Sequence, residues 1–256
     1  MDRNHAAIDK LLDIMTSLRE KCPWDKKQTL ESLRYLTIEE TYELSDAILD
    51  NNLSEIKKEL GDILLHIVFY AQIGKEKNAF EFADVVENIC EKLILRHPHV
   101  FGEVQVADAE EVKSNWEKIK LQEGRKSVLE GVPKSLPAMV KAYRIQEKVR
   151  GVNFDWENSS QVLEKIKEEI EEFEQEAQAA DAERMEAEFG DMLFSLINYA
   201  RFHNINPEDA LEKTNRKFME RFKKMEKLIA ESKKNLTQMA LPEMDVYWEE
   251  AKKQLE

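Results

Sequence analysis

The sequence predicts an all-α protein built from two related helical domains. Apolar residues recur at three- and four-residue spacing through most of the 256 residues, and no segment shows the alternation of a half-buried strand. The chain is 42% hydrophobic and 35% charged and has only 7 glycines and 6 prolines, a composition that favours long amphipathic helices. An acidic motif also occurs twice in one internal register, which indicates a duplicated unit.

The helices follow in order from this spacing and from the residues that start or stop them. The first helix is expected to break at Cys22-Pro23-Trp24-Asp25, and Asn51-Asn52 is expected to form a turn between the next two. Gly74 is expected to end the third helix as a C-cap, and HPHVFGE after Arg96 is expected to be a loop. The predicted helices cover residues 6–20, 29–50, 54–74, 79–96, 108–123, 138–149, 159–179, 181–203, 206–232 and the segment from 241 onward.

One segment is a candidate linker. GRKSVLEGVPKSLP contains two glycines and two prolines, which are the residues that most often interrupt regular structure. The sequence therefore predicts an N-terminal domain at 1–125, a linker at 126–137 and a C-terminal domain at 138–256.

The bulk composition excludes several classes of protein. A net charge of −14 argues against general affinity for nucleic acid or anionic membrane. No run approaches the roughly 18 apolar residues of a membrane span, and the first residues lack the uninterrupted apolar segment of a signal peptide. Cys22 and Cys90 are too few for a disulfide framework. We therefore expect a cytoplasmic protein without nucleic-acid or membrane partners.

The acidic motif consists of three glutamates in one helix and a Glu-x-Gly-Asp sequence in the next. Its first copy is EETYE followed by ELGD, and its second is EEIEE followed by EFGD, with corresponding residues 129 positions apart. Residues three or four apart share a helix face, so two antiparallel helices would gather these carboxylates around a hard divalent cation, Mg²⁺ or Mn²⁺. The first glutamates, Glu39 and Glu168, fit this face least well. The acids are Glu39, Glu40, Glu43, Glu59 and Asp62 in the first copy and Glu168, Glu169, Glu172, Glu188 and Asp191 in the second.

Two further residue pairs repeat, each with its members one helical turn apart. A Lys/Arg pair one turn apart can bind phosphate, and a tryptophan one turn from a lysine can stack on a base or cover a phosphate tail. The first copies are Lys92 with Arg96 and Trp116 with Lys120; the second are Lys217 with Arg221 and Trp248 with Lys252.

These groups favour metal-assisted hydrolysis of a phosphoanhydride. Packing four carboxylates together is unfavourable unless cations compensate their charge, and one or two Mg²⁺ ions would also hold the oxygens of a polyphosphate. The sequence contains no G-x-x-x-x-G-K-[ST] loop, so a P-loop nucleotidase is excluded.

At this level of detail the chain resembles the MazG family of all-α nucleoside triphosphate pyrophosphohydrolases. The EExxE and ExxD motifs, CPWDKKQTL, LRHPHVFG and GVNFDW together extend the resemblance over nearly the whole chain. The resemblance implies tandem MazG-like helical bundles, a homodimer, and Mg²⁺-dependent hydrolysis of an NTP or dNTP to the monophosphate and pyrophosphate. It also implies that the C-terminal domain is the one that hydrolyses nucleotide.

The resemblance assigns residues as well. Metal-binding and catalytic roles fall on Glu169, Glu172, Glu188 and Asp191, and metal-binding roles on Glu40, Glu43, Glu59 and Asp62. Substrate-binding roles fall on Lys165, Glu168, Lys217, Arg221, Trp248 and Lys252.

Two other interpretations compete with this one. A non-enzymatic helical adaptor would carry the same acids as solvated surface. A di-iron bundle needs Glu-x-x-His pairs, and none of the five histidines has a glutamate three positions before it. His66 has Ser195 as its counterpart in the second copy, so it is interpreted as a satisfied core or interface histidine. The preferred base or sugar, the number of working sites and the number of metal ions stay open.

Overall fold

The structure, a computed structural model, describes residues 2–124 and 126–255, with the side chains at 110, 113, 114, 117, 121 and 122 outside the description. All regular elements within these ranges are helices, as the sequence predicts. The chain divides into two compact units, Met1–Gln105 and Val106–Glu256. None of the described helices is long and apolar enough to cross a membrane.

The first unit is organised around a helical hairpin. Thr29 and Ser32 form a reciprocal capping box at the start of the first hairpin helix, and the Asn52 side chain caps the second. Asn51 between them adopts a positive φ of 51°, which asparagine tolerates better than most residues and which permits the tight turn. Met15, Leu33, Val68, Phe69 and Ile73 form the buried core. The helices are α1 (Arg3–Lys21), α2 (Leu30–Leu49), α3 (Leu53–Glu76), α4 (Phe82–Arg96) and α5 (Pro98–Phe101).

The second unit repeats the hairpin and extends it. Ala180 in the left-handed conformation (φ 56°) and the N-cap Asp181 make the turn between the two hairpin helices. Asn206 caps the following long helix and Pro207 occupies its first turn. The helices are α6 (Ala109–Gln122), α7 (Ala138–Arg150), α8 (Ser159–Ala179), α9 (Ala182–Phe202), α10 (Pro207–Glu231) and α11 (Leu241–Leu255). The α8–α9 and α10–α11 pairs pack most extensively.

Two local predictions are wrong. Gly74 does not end α3, which continues to Glu76 with Lys77 as its C-cap. A Cβ at Gly74 would lie 2.8 Å from the Phe80 ring and from its carbonyl oxygen, so the glycine permits this close approach instead. HPHVFGE is not entirely a loop either, because Pro98 begins the short helix α5, and proline suits the first position of a helix.

The segment predicted as a linker packs against α7. Lys148 is only 2% exposed, and its Nζ donates to the carbonyl oxygens of Val128 (3.0 Å) and Glu130 (3.3 Å). Lys141 Nζ donates to the Lys134 carbonyl oxygen at 2.6 Å. These bonds tie the segment to the second unit. The second unit therefore begins at Val106, before the linker at 126–137 that the glycines and prolines predict.

An arginine holds the loop that precedes each acidic helix. In the second unit the buried Arg201 of α9 bonds the Asp155 carboxylate and, through Nε, the Asn198 side chain (3.0 Å). In the first unit Arg19 donates to the Gln28 carbonyl oxygen at 3.1 Å and to Glu76 at 2.9 Å. Both loops therefore have a fixed position at the entrance to the helix that carries the glutamates.

Replacing Arg201 by leucine is expected to lower the free energy of unfolding by about 2 kcal/mol, because Asp155 loses its buried charged partner and keeps only Arg150 at 3.8 Å and the Trp156 N–H. Urea denaturation followed by circular dichroism measures the change. The matched control is Arg184→Ala on the same helix, where an exposed arginine pairs with Glu176 and Asp181 and removal should change stability by less than about 0.5 kcal/mol. Equal losses of unfolding free energy in the Arg201 and Arg184 variants would contradict the stabilising role assigned to Arg201.

Candidate functional site

The α8–α9 hairpin gathers three of the predicted carboxylates. Glu169 and Glu172 lie one turn apart on α8, and Glu188 lies on the facing helix α9. One carboxylate oxygen of each lies within 4.8 Å of the others, a grouping that can hold a metal ion. Glu169 is only 5% exposed, whereas Glu172 and Glu188 are half-buried. We name this group the second cluster.

The α2–α3 hairpin holds the corresponding group. Glu40 and Glu43 of α2 and Glu59 of α3 again bring one oxygen each within 4.8 Å of the others. Glu59 is only 3% exposed, and its Oε2 is buried without a hydrogen-bond partner in the described part of the chain. We name this group the first cluster.

The aspartates of the two motifs lie outside these groups of three. Asp191 is exposed, and Asp62 is half-buried. Asp62 nevertheless acts on the first cluster, because its charge helps to raise the pKa of Glu40. That Asp62 and Asp191 each complete a four-ligand metal site stays a prediction.

The electrostatics of both clusters favour a bound cation. Burial raises the pKa of Glu40, and repulsion from the neighbouring acids raises it further. Burial also raises the pKa of Glu172, a change that Lys165 opposes and Glu169 reinforces. A divalent cation would remove this repulsion, and all-oxygen donors suit Mg²⁺ or Mn²⁺.

A lysine contacts the buried glutamate of each cluster. Lys165 Nζ lies 2.7 Å from Glu168 and 2.8 Å from Glu169, and these hydrogen bonds raise the pKa of the lysine. In the first cluster Lys58 Nζ lies 2.9 Å from Glu59, and this bond raises the pKa of Lys58. Glu168 is thus exposed and bonded to a lysine, outside the group of three.

These two lysines do not correspond to each other in the repeat. The counterpart of Lys165 in the first copy is Leu36, and the counterpart of Lys58 in the second copy is Ala187. Each cluster therefore receives its ammonium group from a different helix. Sequence reasoning missed Lys58 because the repeat reveals only residues that both copies share.

The repeated glycines lie beside the clusters and face open space. A Cβ added at Gly61 or Gly190 would meet no described atom within 4 Å. Tight helix packing within the chain therefore does not explain glycines that each weaken a helix by roughly 1 kcal/mol relative to alanine. Close approach of a ligand or of another chain is the explanation that fits this space.

The remaining predicted substrate residues lie on the α10–α11 pair. The Trp248 ring lies 5.2 Å from the Phe218 ring, which stacks on Phe222, and Trp248 also packs against the Met225–Ile229–Ala251 core. Lys252 Nζ lies 3.3 Å from the Glu249 carboxylate oxygens. Lys217 is exposed and Arg221 is half-buried on α10. That Lys217, Arg221, Trp248 and Lys252 contact the nucleotide stays a prediction.

The affinity of both clusters for Mn²⁺ is expected to fall on the order of tenfold between pH 7 and pH 5. Glu40 and Glu172 have raised pKa values, so they keep their protons to a higher pH than ordinary glutamates, and a cation must displace those protons. Calorimetric titration with Mn²⁺ at the two pH values measures the effect. Glu171→Gln, on the exposed side of α8, should leave the pH dependence of the Mn²⁺ affinity unchanged. Equal wild-type affinities at pH 7 and pH 5 would contradict the prediction.

Comparisons with known proteins agree with this geometry. The MazG nucleotide pyrophosphohydrolase domain matches twice, at residues 28–101 and 157–226, so that each match covers one hairpin. A Thermotoga maritima protein named nucleoside triphosphate pyrophosphohydrolase/pyrophosphatase MazG is 47% identical over 96% of this chain and 95% of its own length. The nucleoside triphosphate pyrophosphohydrolase of Escherichia coli K12 is 41% identical over 96% of this chain and 97% of its own length. The chain belongs to the MazG family and carries the family's domain in two copies.

Proposed function

We propose that the chain hydrolyses nucleoside triphosphates to the monophosphate and pyrophosphate with Mg²⁺, which Mn²⁺ can replace. The supporting observation is that each hairpin holds a group of three carboxylates, one of which belongs to a buried glutamate, in a chain that is 41–47% identical to relatives named for this hydrolysis. Both ribo- and deoxyribonucleotides are candidate substrates.

The residues of both clusters fit a bound Mg²⁺. The unpaired Oε2 of Glu59 and the raised pKa values of Glu40 and Glu172 are features that a hard cation would relieve. Glu169, Glu172, Glu188 and Asp191 would hold it in the second domain, and Glu40, Glu43, Glu59 and Asp62 in the first. When bound, Mg²⁺ neutralises charge on the phosphates and on the departing pyrophosphate.

The protein's own groups supply positioning and proton transfer. A carboxylate oxygen of the second cluster orients the attacking water and accepts its proton, while the bond between the α and β phosphates breaks. Lys165, which stays charged between Glu168 and Glu169, is placed to bind a phosphate oxygen. Because Leu36 occupies this position in the first copy, we assign hydrolysis to the second cluster.

The α10–α11 pair supplies the remaining substrate contacts in this proposal. Lys217 and Arg221 bind phosphate oxygens, and Lys252 adds positive charge near Trp248. The Trp248 ring, tilted against Phe218 at 5.2 Å, offers an apolar face to a base.

The alternative of a non-enzymatic adaptor is less compatible with the burial of the acids. An adaptor whose acids are solvated surface would leave them exposed. Instead Glu59 and Glu169 are among the most buried polar residues of the chain, each with two further carboxylates beside it. Burying a carboxylate in this way is unfavourable unless a partner compensates it.

We also propose that the protein is a homodimer. None of the described side chains of α4 is buried within the chain, although its apolar residues form one stripe along the helix. Val85, Val86, Ile89 and Leu93 are 37–44% exposed on that stripe. An apolar face of this kind is suited to a second copy of the chain, which would complete the core of the first unit.

The setting proposed for the enzyme is the cytoplasm, where nucleotides are abundant. Both cysteines are free, which suits a reducing compartment. The net charge of −14 gives no general affinity for nucleic acid or anionic membrane. Substrate, metal and a second copy are therefore the partners we propose.

Glu172→Gln is expected to lower the rate of pyrophosphate release by on the order of 10²-fold, because it removes a carboxylate that holds the metal against the phosphates. The measurement is pyrophosphate release from a panel of NTPs and dNTPs with Mg²⁺. Glu43→Gln tests the first cluster, the double variant tests additivity, and Glu171→Gln is the matched control outside the cluster. Release of orthophosphate only, or of nothing, by the wild type would refute the proposed reaction, and equal partial losses would show two working sites.

Ile89→Glu is expected to convert the dimer to monomer at micromolar concentration, because it places a charge in the middle of the apolar stripe of α4. Sedimentation equilibrium measures the mass of the wild type and of the variant. Glu87→Lys, an exposed residue of the same helix, is the control and should stay dimeric. A monomeric wild type, or a dimer that tolerates Ile89→Glu, would contradict the use of this face.

A further inference from the structure

His66 is a buried titratable side chain of the first hairpin. It lies on α3 with 7% of its surface exposed, and its Nδ1 is buried and unpaired within the described part of the chain. Its ring meets Tyr70 edge-to-face at 6.5 Å. The Tyr70 hydroxyl is already 2.6 Å from Thr37 Oγ1, so that hydroxyl has its own partner. His66 is thus buried, as a core or interface histidine is expected to be, but its Nδ1 is not paired among the described residues.

The imidazole is neutral near pH 7 and offers both kinds of hydrogen bond. Burial lowers the pKa of His66, and the charge of Asp62 only partly opposes this. A neutral imidazole has one N–H donor and one acceptor nitrogen. Buried polar groups are almost always hydrogen-bonded, so an unpaired one needs an explanation, and an absent ligand is one.

His66 lies on the same face of α3 as the first cluster. Glu59, Asp62 and His66 follow at spacings of three and four residues, which places them on one side of the helix. Seven residues separate Glu59 from His66, a distance of about 10 Å along the helix axis. Glu59 Oε2 is likewise buried and unpaired. One helix face thus presents two buried atoms, Glu59 Oε2 and His66 Nδ1, that have no hydrogen-bond partner among the described residues.

A metal-bound nucleotide matches this pair of unpaired groups. Its phosphates would lie at the cation beside Glu59, and its sugar and base extend away from the phosphates toward a group such as His66. A lone cation would pair with Glu59 and leave the imidazole unpaired, and a free inorganic anion would be repelled by the Glu59 carboxylate.

The second copy differs at this place. The counterpart of His66 is Ser195, which is also buried, and the counterpart of Thr37 is Ile166. Tyr70 has Tyr199 as its counterpart, and that ring instead meets His203 at 4.6 Å. The acids of the two hairpins are thus the same, while the groups one turn beyond the Asp62 and Asp191 positions differ in size and hydrogen-bonding capacity.

We propose that His66 is a specificity residue of the first-domain site, where it hydrogen-bonds a sugar hydroxyl or base-edge group of a metal-bound nucleotide. Ser195 gives the second-domain site a different nucleoside preference. This inference rests on the proposed function for the binding of metal and phosphates, and it assigns nucleotide binding, without hydrolysis, to the first domain.

The test uses the full chain carrying Glu169→Gln and Glu172→Gln, so that binding reports the first site. Calorimetry with Mg²⁺ measures the affinity for α,β-methylene analogues of ATP, dATP, UTP, dUTP, CTP and GTP, which cannot be cleaved between the α and β phosphates. His66→Leu is expected to weaken the tightest-bound analogue at least about tenfold. Its affinity for Mn²⁺ alone should stay unchanged, and the melting temperature without ligand should rise because an unpaired polar group has been removed. Comparing ribo- with deoxy-analogues separates a hydroxyl contact from a base contact.

Thr37→Val is the matched control. It removes a part-buried hydroxyl beside Tyr70, and that hydroxyl already has the tyrosine as its hydrogen-bond partner. It should lower the melting temperature and leave the nucleotide affinity unchanged. If His66→Leu does not fold, His66→Phe, which also lacks a hydrogen-bonding group, takes its place with the same readouts.

Unchanged nucleotide affinity in the His66 variants, or a first site that binds none of the analogues, would overturn the inference. A wild type that releases pyrophosphate in the same preparation would leave the proposed function intact. A wild type that releases none would show that the proposed function itself has failed.

Discussion

The burial of one glutamate in each helical hairpin is the constraint on which the rest of the structure depends. Glu59 and Glu169 lie among helix faces that also carry the apolar core, and each shares its surroundings with two further carboxylates. A single lysine contact offsets only part of that repulsion. The hairpin turns, helix caps and arginine-held loops are needed to keep these acids in place, since the carboxylates themselves oppose the packing.

The duplication preserved the acids and changed the groups around them. In the register of the repeat, Lys165 corresponds to Leu36, Lys58 corresponds to Ala187, and His66 corresponds to Ser195. The proposed metal binding depends on carboxylates that repeat, so both hairpins offer the same kind of metal ligand. The proposed contacts to phosphate and nucleoside depend on neighbours that do not repeat, so in this proposal they differ between the hairpins. In the proposed function, the two copies of one fold differ in role: the second binds and hydrolyses a nucleotide, and the first binds one without hydrolysis.

The helices and the acidic clusters were predictable because their determinants are local. Three- and four-residue spacing located α8 and α9, and the cap at Asn206 located the start of α10. Bonds between distant residues were not predictable: Arg201 and Asp155 are 46 positions apart, and Lys148 reaches carbonyl groups 18 and 20 positions before it. The glycines and prolines of 126–137 indicated a linker, but no local pattern reveals that a buried lysine ties this segment to α7.

The two hairpins also differ in how completely they satisfy their buried polar atoms. In the first, Glu59 Oε2 and His66 Nδ1 are both unpaired on one face of α3. In the second, Lys165 bonds Glu169, and none of the described side-chain atoms of α8 and α9 is both buried and unpaired; Gln146 Oε1, the other unpaired buried atom among the described residues, lies on α7. Unpaired atoms lower the stability of the ligand-free hairpin, and a ligand that pairs both restores it. The nucleotide proposed for the first hairpin would therefore couple its binding to the stability of the helices that hold it.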